Sequence, residues 1–382
     1  MNMEAASQHQ PKILSFLFIA ELWERFAFYV VQGLLVLYMT QFYGFSDPVS
    51  YTISGLFTGL VYTSPFIGGF LADKLLGFKT AILWGGFFLV AGYTLLALFS
   101  TSFFFYLALA TIIIGSGLLK PNIASLLGTQ YVSNDVRRDS GFTLFYIGIN
   151  AGAALSGLSG YVRNAYGFQL TFALASIGML IGILTFLYGI KHLKNTQKIQ
   201  TPSTKLKSQL FIYCLLAVIG VCLLLRMTAL VYWLFPCAGI ILLIFLVVLS
   251  MQQAPEYRSR LIALNILILS SIVFWMLFLQ IFNSANLFVD RLVNKHLFGI
   301  PLSTTIFYAL ESVYVILLGP LLTFAWQMGN SKKTFSHTEI FPGNIFCRIR
   351  FPDIGCWHAV SRLRKFNPPL MGHFSLFIPL YW

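Results

Sequence analysis

Apolar residues along this chain fall in long, nearly unbroken runs separated by short polar stretches. Ten runs reach the roughly 20 residues that a membrane-spanning helix needs: 13–41, 51–76, 79–99, 101–130, 140–162, 169–190, 208–225, 230–251, 260–290 and 302–328. Several exceed that minimum, which implies tilt or extension into loops. The pattern predicts an all-α membrane protein. The longest polar stretch, 191–207, is a basic linker and divides an N-terminal six-helix bundle, 1–190, from the remaining four runs.

The first run contains an exception to its own pattern. Glu21, Glu24 and Arg25 lie well inside it, and each charge held in hydrocarbon costs roughly 2.5–3.5 kcal/mol on insertion scales. Charges retained at such cost line a protein-walled or water-filled path. Glu21, Glu24, Arg25, Phe28, Tyr29 and Gln32 recur at i, i+3 and i+4 intervals, so one helical stripe carries two carboxylates, a guanidinium and a phenol. Pairing of Arg25 with Glu21 or Glu24 to tie helices together is a second reading, compatible with the first.

Composition agrees: 58% of residues are hydrophobic and 10% charged, with a mean hydropathy of +0.79, against roughly 25% charged in soluble proteins. The first run is too long for a signal-peptide core and lacks a small-residue cleavage site, so it reads as a retained helix. With the N-terminus cytoplasmic, the inner loops hold Lys12, Lys74, Lys79, Arg137, Arg138, the 191–207 cluster, Arg258, Arg260, Lys332 and Lys333. The outer loops hold only Arg163, Arg226, Arg291 and Lys295. The formal charge of +13 therefore reports membrane topology and gives nucleic-acid binding little support. Five cysteines, Cys214, Cys222, Cys237, Cys347 and Cys356, show no metal-ligand spacing, and the first three read as small buried hydrophobes. No metal or cofactor is expected, and a membrane enzyme is the least supported class because no nucleophile stands with a base.

Past Gly329 the pattern changes. From Asn330 to Trp382 no long apolar run survives, and Arg348, Arg350, Arg362, Arg364 and Lys365 are scattered among aromatics and prolines. Disordered tails are usually poor in such aromatics, so residues 330–382 read as a segment translated out of the ancestral frame.

Four blocks then carry a resemblance. Glu21-Leu-Trp-Glu24-Arg25-Phe26 with Tyr29 resembles the first-helix signature of the proton-dependent oligopeptide transporters, a branch of the major facilitator superfamily. Tyr62-Thr-Ser-Pro65 through Gly69, Asp73 and Gly77 is similar to the second helix and its loop. Gly115-Ser-Gly117-Leu-Leu-Lys120-Pro121-Asn122 and Phe145-Tyr146-Ile-Gly148-Ile-Asn150 resemble the blocks on helices four and five. Gln32, Phe274-Trp275, Gln280 and Asn286 look most like bacterial dipeptide and tripeptide permeases. The resemblance covers roughly 13–328.

Some features of these blocks follow from chemistry alone. Asp73 sits at a cytoplasmic turn, where a carboxylate caps a helix or pairs with a cation at a gate. Gly115 and Gly117 permit close helix approach, Pro121 favours a kink, and Lys120 becomes an ammonium deep in the membrane that needs an anionic partner, the Glu21/Glu24 stripe being the candidate. The resemblance implies more. Arg25 and Lys120 receive a peptide carboxylate, Glu21 and Glu24 with Arg25 and Lys120 couple protons, and Tyr29, Tyr62, Asn150 and Trp275 contact the peptide. For Tyr62 and Asn150, interhelical hydrogen bonding remains an equal reading of the residues themselves.

The chain also departs from the family. Trp275 to Gln280 carries no acidic residue where many members have one, and Glu311-Ser312 replaces a common Asn-Pro. Glu311 is therefore either a proton or peptide-amine partner, or an ion-pair partner of Arg291. By the resemblance, 208–251 is an inserted helix pair and 252–329 the first two helices of a C-terminal bundle that is incomplete. The expected function is proton-coupled symport of di- and tripeptides across the cytoplasmic (inner) membrane, by descent, with transport by the chain as it stands in question. Two alternatives are a major facilitator for another anionic solute and a non-transporting membrane remnant. If the tail arose by frameshift, another reading frame after the Gly329 codon encodes further runs of about 20 apolar residues. Sequencing that region and finding none rejects the frameshift.

Overall fold

The computed structural model describes residues 9–132, 135–193 and 203–329, and the apolar runs are helical in the expected order. Helices α1 (Ile13–Gln41), α2 (Asp47–Leu71), α3 (Phe78–Leu98), α4 (Ser102–Gly128), α5 (Arg137–Ser156) and α6 (Ser159–Gly189) precede the linker. Helices α7 (Thr204–Arg226), α8 (Thr228–Met251), α9 (Pro255–Phe278), α10 (Ser284–Leu292) and α11 (Thr304–Gly329) come after it. The expected aberrant tail, 330–382, lies outside the described residues, as do Cys347 and Cys356.

Eight helical stretches among the described residues are long and apolar enough to cross a membrane. Of the ten expected runs, those of α1 and α5 do not pass on composition: α1 carries Glu21, Glu24 and Arg25, and α5 opens on Arg137-Arg138-Asp139. Packing places them all the same, since α1 lies against both α5 and α6.

The chain groups into two compact units, one drawn from Met1–Ile240 and Val273–Leu322, the other including Ile241–Ile272. Within the first, α3 packs on α4 and α6, α2 on α4, and α7 on α4. Small residues make this possible. A Cβ on Gly85 would stand 2.7 Å from the carbonyl oxygen of Gly115, and one on Gly68 would overlap the carbonyl of Gly117, so backbones meet where side chains would hold them apart. The second unit joins α8 to α9 through Asn265, whose amide donates to Ser250 Oγ at 2.9 Å. The large apolar side chains of 241–272 are mostly exposed, as suits contact with lipid.

Three boundaries differ from the sequence reading. The expected break between 162 and 169 occurs at Gly167, whose φ of 86° only glycine adopts freely, but a second lapse separates α5 from α6 at Gly157-Leu158. Thr305 of α11 causes it: its hydroxyl donates to the Gly157 carbonyl at 2.6 Å and accepts the Gly160 N–H at 2.9 Å. Both groups are thereby diverted from the helical ladder. The run expected at 260–290 is also divided, by a tighter turn at Leu279–Phe282 and a non-helical Asn283, whose side chain bonds back to the Leu279 carbonyl at 3.0 Å and competes with the backbone. Between α10 and α11, in place of a plain loop, strands β1 (His296–Leu297) and β2 (Ile300–Pro301) pair antiparallel around Phe298 and Gly299, with φ of 50° and 80°. Cys214 and Cys222 are buried as expected, whereas Cys237 is exposed, because the middle of α8 presents most of its surface outward.

The glycine crossings set a testable limit. Gly68→Leu forces α2 off α4 and costs at least the roughly 1–3 kcal/mol of an overpacked core. Gly55→Ala, at a position with nothing within 4 Å, costs almost nothing. Heating the detergent-solubilised variants and measuring the fraction that stays monodisperse checks both.

Candidate substrate site

The charged stripe of α1 faces the interior of the first compact unit. Glu21, Glu24 and Arg25 are each no more than 3% exposed. Glu24 grips Arg25 in a two-pronged pair, Nε to Oε2 and the second guanidinium nitrogen to Oε1, and Glu21 Oε1 lies 3.3 Å from Nε. Glu21 Oε2 has no hydrogen-bond partner among the described residues. The guanidinium also stands 5.0 Å over the Phe28 ring, a cation–π contact that helps a cation out of water. Helix α5 closes on this stripe through Gly152, where a Cβ would meet the Leu22 carbonyl and Arg25 Cβ.

Lys120 reaches the same region from α4. Its ammonium sits 4.5 Å above the Tyr62 ring and within electrostatic reach of Glu21, Glu24 and Arg25. The sequence predicts the glutamate stripe as its anionic partner, and Glu21 and Glu24 lie within electrostatic reach of the ammonium as it rests on the Tyr62 face. The chain is placed here by the Gly68–Gly117 crossing and by Asn122, whose amide donates to the Leu118 carbonyl at 2.6 Å and to the Gly68 carbonyl at 3.3 Å. Trp275 of α9 lies 6.5 Å from Tyr62, centroid to centroid. Tyr29, half-buried, stacks on Phe282 at 6.0 Å.

Helices α10 and α11 close the region. The Tyr308 hydroxyl donates to the Tyr29 carbonyl at 3.1 Å, and Asn286 donates to the Gly33 carbonyl at 2.7 Å. One turn after Tyr308, Glu311 is exposed, makes no ion pair among the described residues, and is close enough to Tyr29 for its charge to be felt there. It does not pair with Arg291, one of the two alternatives the sequence leaves open: Arg291 is engaged by Asp47 at 2.6 and 2.9 Å.

At the end of the unit where α1 meets α2, a polar network ties helices distant in sequence. Asp290 accepts from Thr304 at 2.7 Å, from Gln41 at 2.7 Å and from Lys295 at 3.3 Å, with Arg163 at 3.8 Å. Gln41 in turn accepts from Arg163 at 2.7 Å. This end is closed by charge-assisted bonds, several of them partly shielded from water.

The structure thus gathers Glu21, Glu24, Arg25, Tyr29, Tyr62, Lys120, Trp275 and Glu311 in one compact unit. Asn150 is buried, and its amide donates to the Tyr146 carbonyl of its own helix at 3.0 Å. Asp73 stands apart and exposed in the wide helical turn Ala72–Leu76 that comes after α2. Sequence reasoning missed Thr305, Tyr308 and the Asp290 network. The available signal was a set of ionisable residues at the ends of predicted spans, but their partners lie more than a hundred residues away and no spacing links them.

A multi-pass helical bundle that buries two carboxylates and a guanidinium on one helix, with a second cation on another, is the build of a membrane carrier. The family profile described as POT family matches residues 79–345, and the chain belongs to that family of transporters. Among curated relatives, dipeptide and tripeptide permease A of Yersinia pestis is 33% identical over 350 residues, covering 90% of this chain and 69% of the relative. Dipeptide and tripeptide permease B of Xenorhabdus bovienii is 32% identical over 351 residues, covering 90% and 72%. Among solved structures, the peptide transporter POT in complex with sulfate superposes with a TM-score of 0.73 at 31% identity, covering 86% of this chain and 71% of that one. A POT family transporter in complex with a thioalcohol-conjugated peptide gives 0.72 at 27% identity, covering 84% and 71%.

The Asp290 network yields an accessibility prediction. Ser303 is 1% exposed beneath it. Asp290→Ala should speed labelling of a Ser303→Cys variant by a membrane-impermeant maleimide, in a background without other cysteines. An unchanged rate would show that closure of this end does not depend on Asp290.

Proposed function

We propose that the chain carries di- and tripeptides coupled to protons, in the cytoplasmic membrane with its N-terminus inside. The observation that carries this reading is the buried Glu21–Glu24–Arg25 stripe facing Lys120 beside Tyr29, Tyr62 and Trp275. The substrate class comes from the relatives, which are dipeptide and tripeptide permeases; the orientation is supported by the lysines and arginines crowded into alternate loops.

Charge balance gives the coupling. Arg25 and Lys120 balance Glu21 and Glu24. A substrate carboxylate bound by the planar Arg25 fork and by Lys120 leaves this cluster one negative charge in excess, in surroundings where an unbalanced charge is expensive. A proton on Glu21, whose Oε2 is unpartnered among the described residues, restores the balance, with Glu24 as the alternative acceptor once Arg25 turns to substrate. Peptide and proton then favour each other's binding, and by linkage the preference is reciprocal. Tyr29, Tyr62, Trp275 and Asn150 supply contacts to the peptide backbone and side chains, Glu311 receives the terminal ammonium, and Asp73 acts at the opposite gate. The 1–190 bundle and the helices after the linker are the two bodies that move.

A carrier of some other anionic solute would use the same two cations. Glu311, exposed within electrostatic reach of Tyr29, favours a zwitterion over a simple anion.

Dialanine binding to the purified chain tests the reading. Arg25→Lys keeps the charge and loses the fork, so affinity should fall about 10- to 100-fold, the equivalent of the roughly 1.5–3 kcal/mol of charged hydrogen bonds. Near-normal affinity rejects the assignment of Arg25, and displacement of dialanine by nitrate at equal concentration favours the anion carrier. Because binding takes up a proton, affinity should rise as pH falls. Glu21→Gln and Glu24→Gln should flatten that dependence, since an amide hydrogen-bonds but carries no proton; an unaltered pH profile in both variants removes the glutamates from coupling.

A further inference from the structure

The back of α1 has a feature the carrier function does not use. Trp23, Phe26 and Val30 lie on the face away from the Arg25 stripe and, with residues of α5 and α6, line a groove of about 290 Å³. It exists because α6 carries Gly178, where a Cβ would press within 3.0 Å of both Trp23 and Phe26. Trp23 and Phe26 meet edge to face at 5.5 Å and form the floor. Of the lining side chains only Ser159 and Thr171 bear a hydroxyl, and none is charged.

We propose that this groove is a binding site for one fatty-acyl chain of a membrane lipid. Its dimensions select that occupant. From Thr171 to Ile181 the α6 wall rises about 15 Å at roughly 1.5 Å per residue, half of the approximately 30 Å hydrocarbon core and so the depth of a single leaflet. Its volume lies just below the roughly 300 Å³ at which ligand pockets begin, and its length and uncharged lining suit a stretch of acyl chain. The rim is continuous with bilayer-facing surface: Leu158, Leu174, Ile177 and Ile181 are 52%, 37%, 52% and 39% exposed. The walls carry no charged side chain to hold a phosphate or an amine, so the headgroup stays outside and chain recognition is by shape. A chain seated there packs on the helix that carries Glu24 and Arg25 and holds it against α5 from behind.

Tryptophan quenching by lipids with brominated chains tests the site independently of any transport reading. Two full-length variants are compared, each with a single tryptophan, one keeping Trp23 and the other Trp233, which is 69% exposed on α8 and samples ordinary boundary lipid. Trp23 should reach half-maximal quenching at a several-fold lower mole fraction of brominated phosphatidylcholine than Trp233. Leu174→Phe with Ile177→Phe, which fills the groove, should move the Trp23 curve onto that of Trp233. A brominated free fatty acid that reproduces the Trp23 curve supports the site with the chain alone as ligand; quenching by the phospholipid only supports it with a diacyl lipid as the source. Identical curves for the two tryptophans overturn the proposal, as does the absence of Trp23 quenching, which would mean that protein covers the groove. Should the single-tryptophan variants fold poorly, solvent extraction of the otherwise unsubstituted chain after detergent exchange gives the same answer. Retained lipid should be lost in the double phenylalanine variant, and equal retention in both overturns the site.

Discussion

Burial of the Arg25 guanidinium on α1 is the constraint around which the first compact unit is organised. A cation with almost no exposure in a membrane-spanning helix requires compensation on every side. Glu24 supplies a two-pronged pair, Glu21 a second carboxylate, and Phe28 a ring face. Those groups are in turn shielded because α5 approaches at Gly152, where a side chain would collide with Leu22 and Arg25, while α6 packs at Gly178 on the opposite face of α1. Buried ion pairs seldom add net stability over apolar packing, and the arrangement is better understood as specifying a chemical environment. One carboxylate oxygen is left without a partner among the described residues, and with Lys120, within electrostatic reach from α4, the charges cancel.

The surrounding helices position rather than contact that centre. Backbone crossings at Gly68–Gly117 and Gly85–Gly115 lock α2, α3 and α4 together and deliver Lys120 over Tyr62. On the other side α11 enters the α5–α6 junction with Thr305 and touches the Tyr29 carbonyl with Tyr308. The backbone groups freed at the junction are satisfied by hydroxyls, so the break is built in by tertiary contact and carries little cost.

Much of this was legible from the chain alone because it depends on local pattern. Membrane spans follow from apolar run length, and the stripe of Glu21, Glu24, Arg25, Tyr29 and Gln32 from helical spacing. The close approach at Gly115 and Gly117 follows from residue size. The features that were not legible depend on partners remote in sequence. Nothing near Gly157 announces that Thr305 will interrupt the ladder there. Nothing near Asp290 indicates that Gln41, Arg163 and Thr304 converge on it, or that Arg291 will be taken by Asp47 and leave Glu311 without an ion pair among the described residues. The division at Asn283 was visible only as a polar cluster within an apolar run, a signal that short side chains bonding to their own backbone often give and that run length outweighed.

The failure of α1 and α5 to qualify as membrane segments on composition bears on how the protein is made. At the centre of a helix each charge costs roughly 2.5–3.5 kcal/mol against a gain of roughly 0.3–0.6 for each Leu, Ile, Phe or Val. A helix such as α1, emerging alone, is poorly placed to leave the insertion machinery for lipid. Its two buried carboxylates exceed its one guanidinium, the balancing ammonium of Lys120 arrives on α4, and its desolvated surface is completed by α5 and α6, which are synthesised later still. Stable burial of the earliest of these helices therefore depends on helices that are made after it.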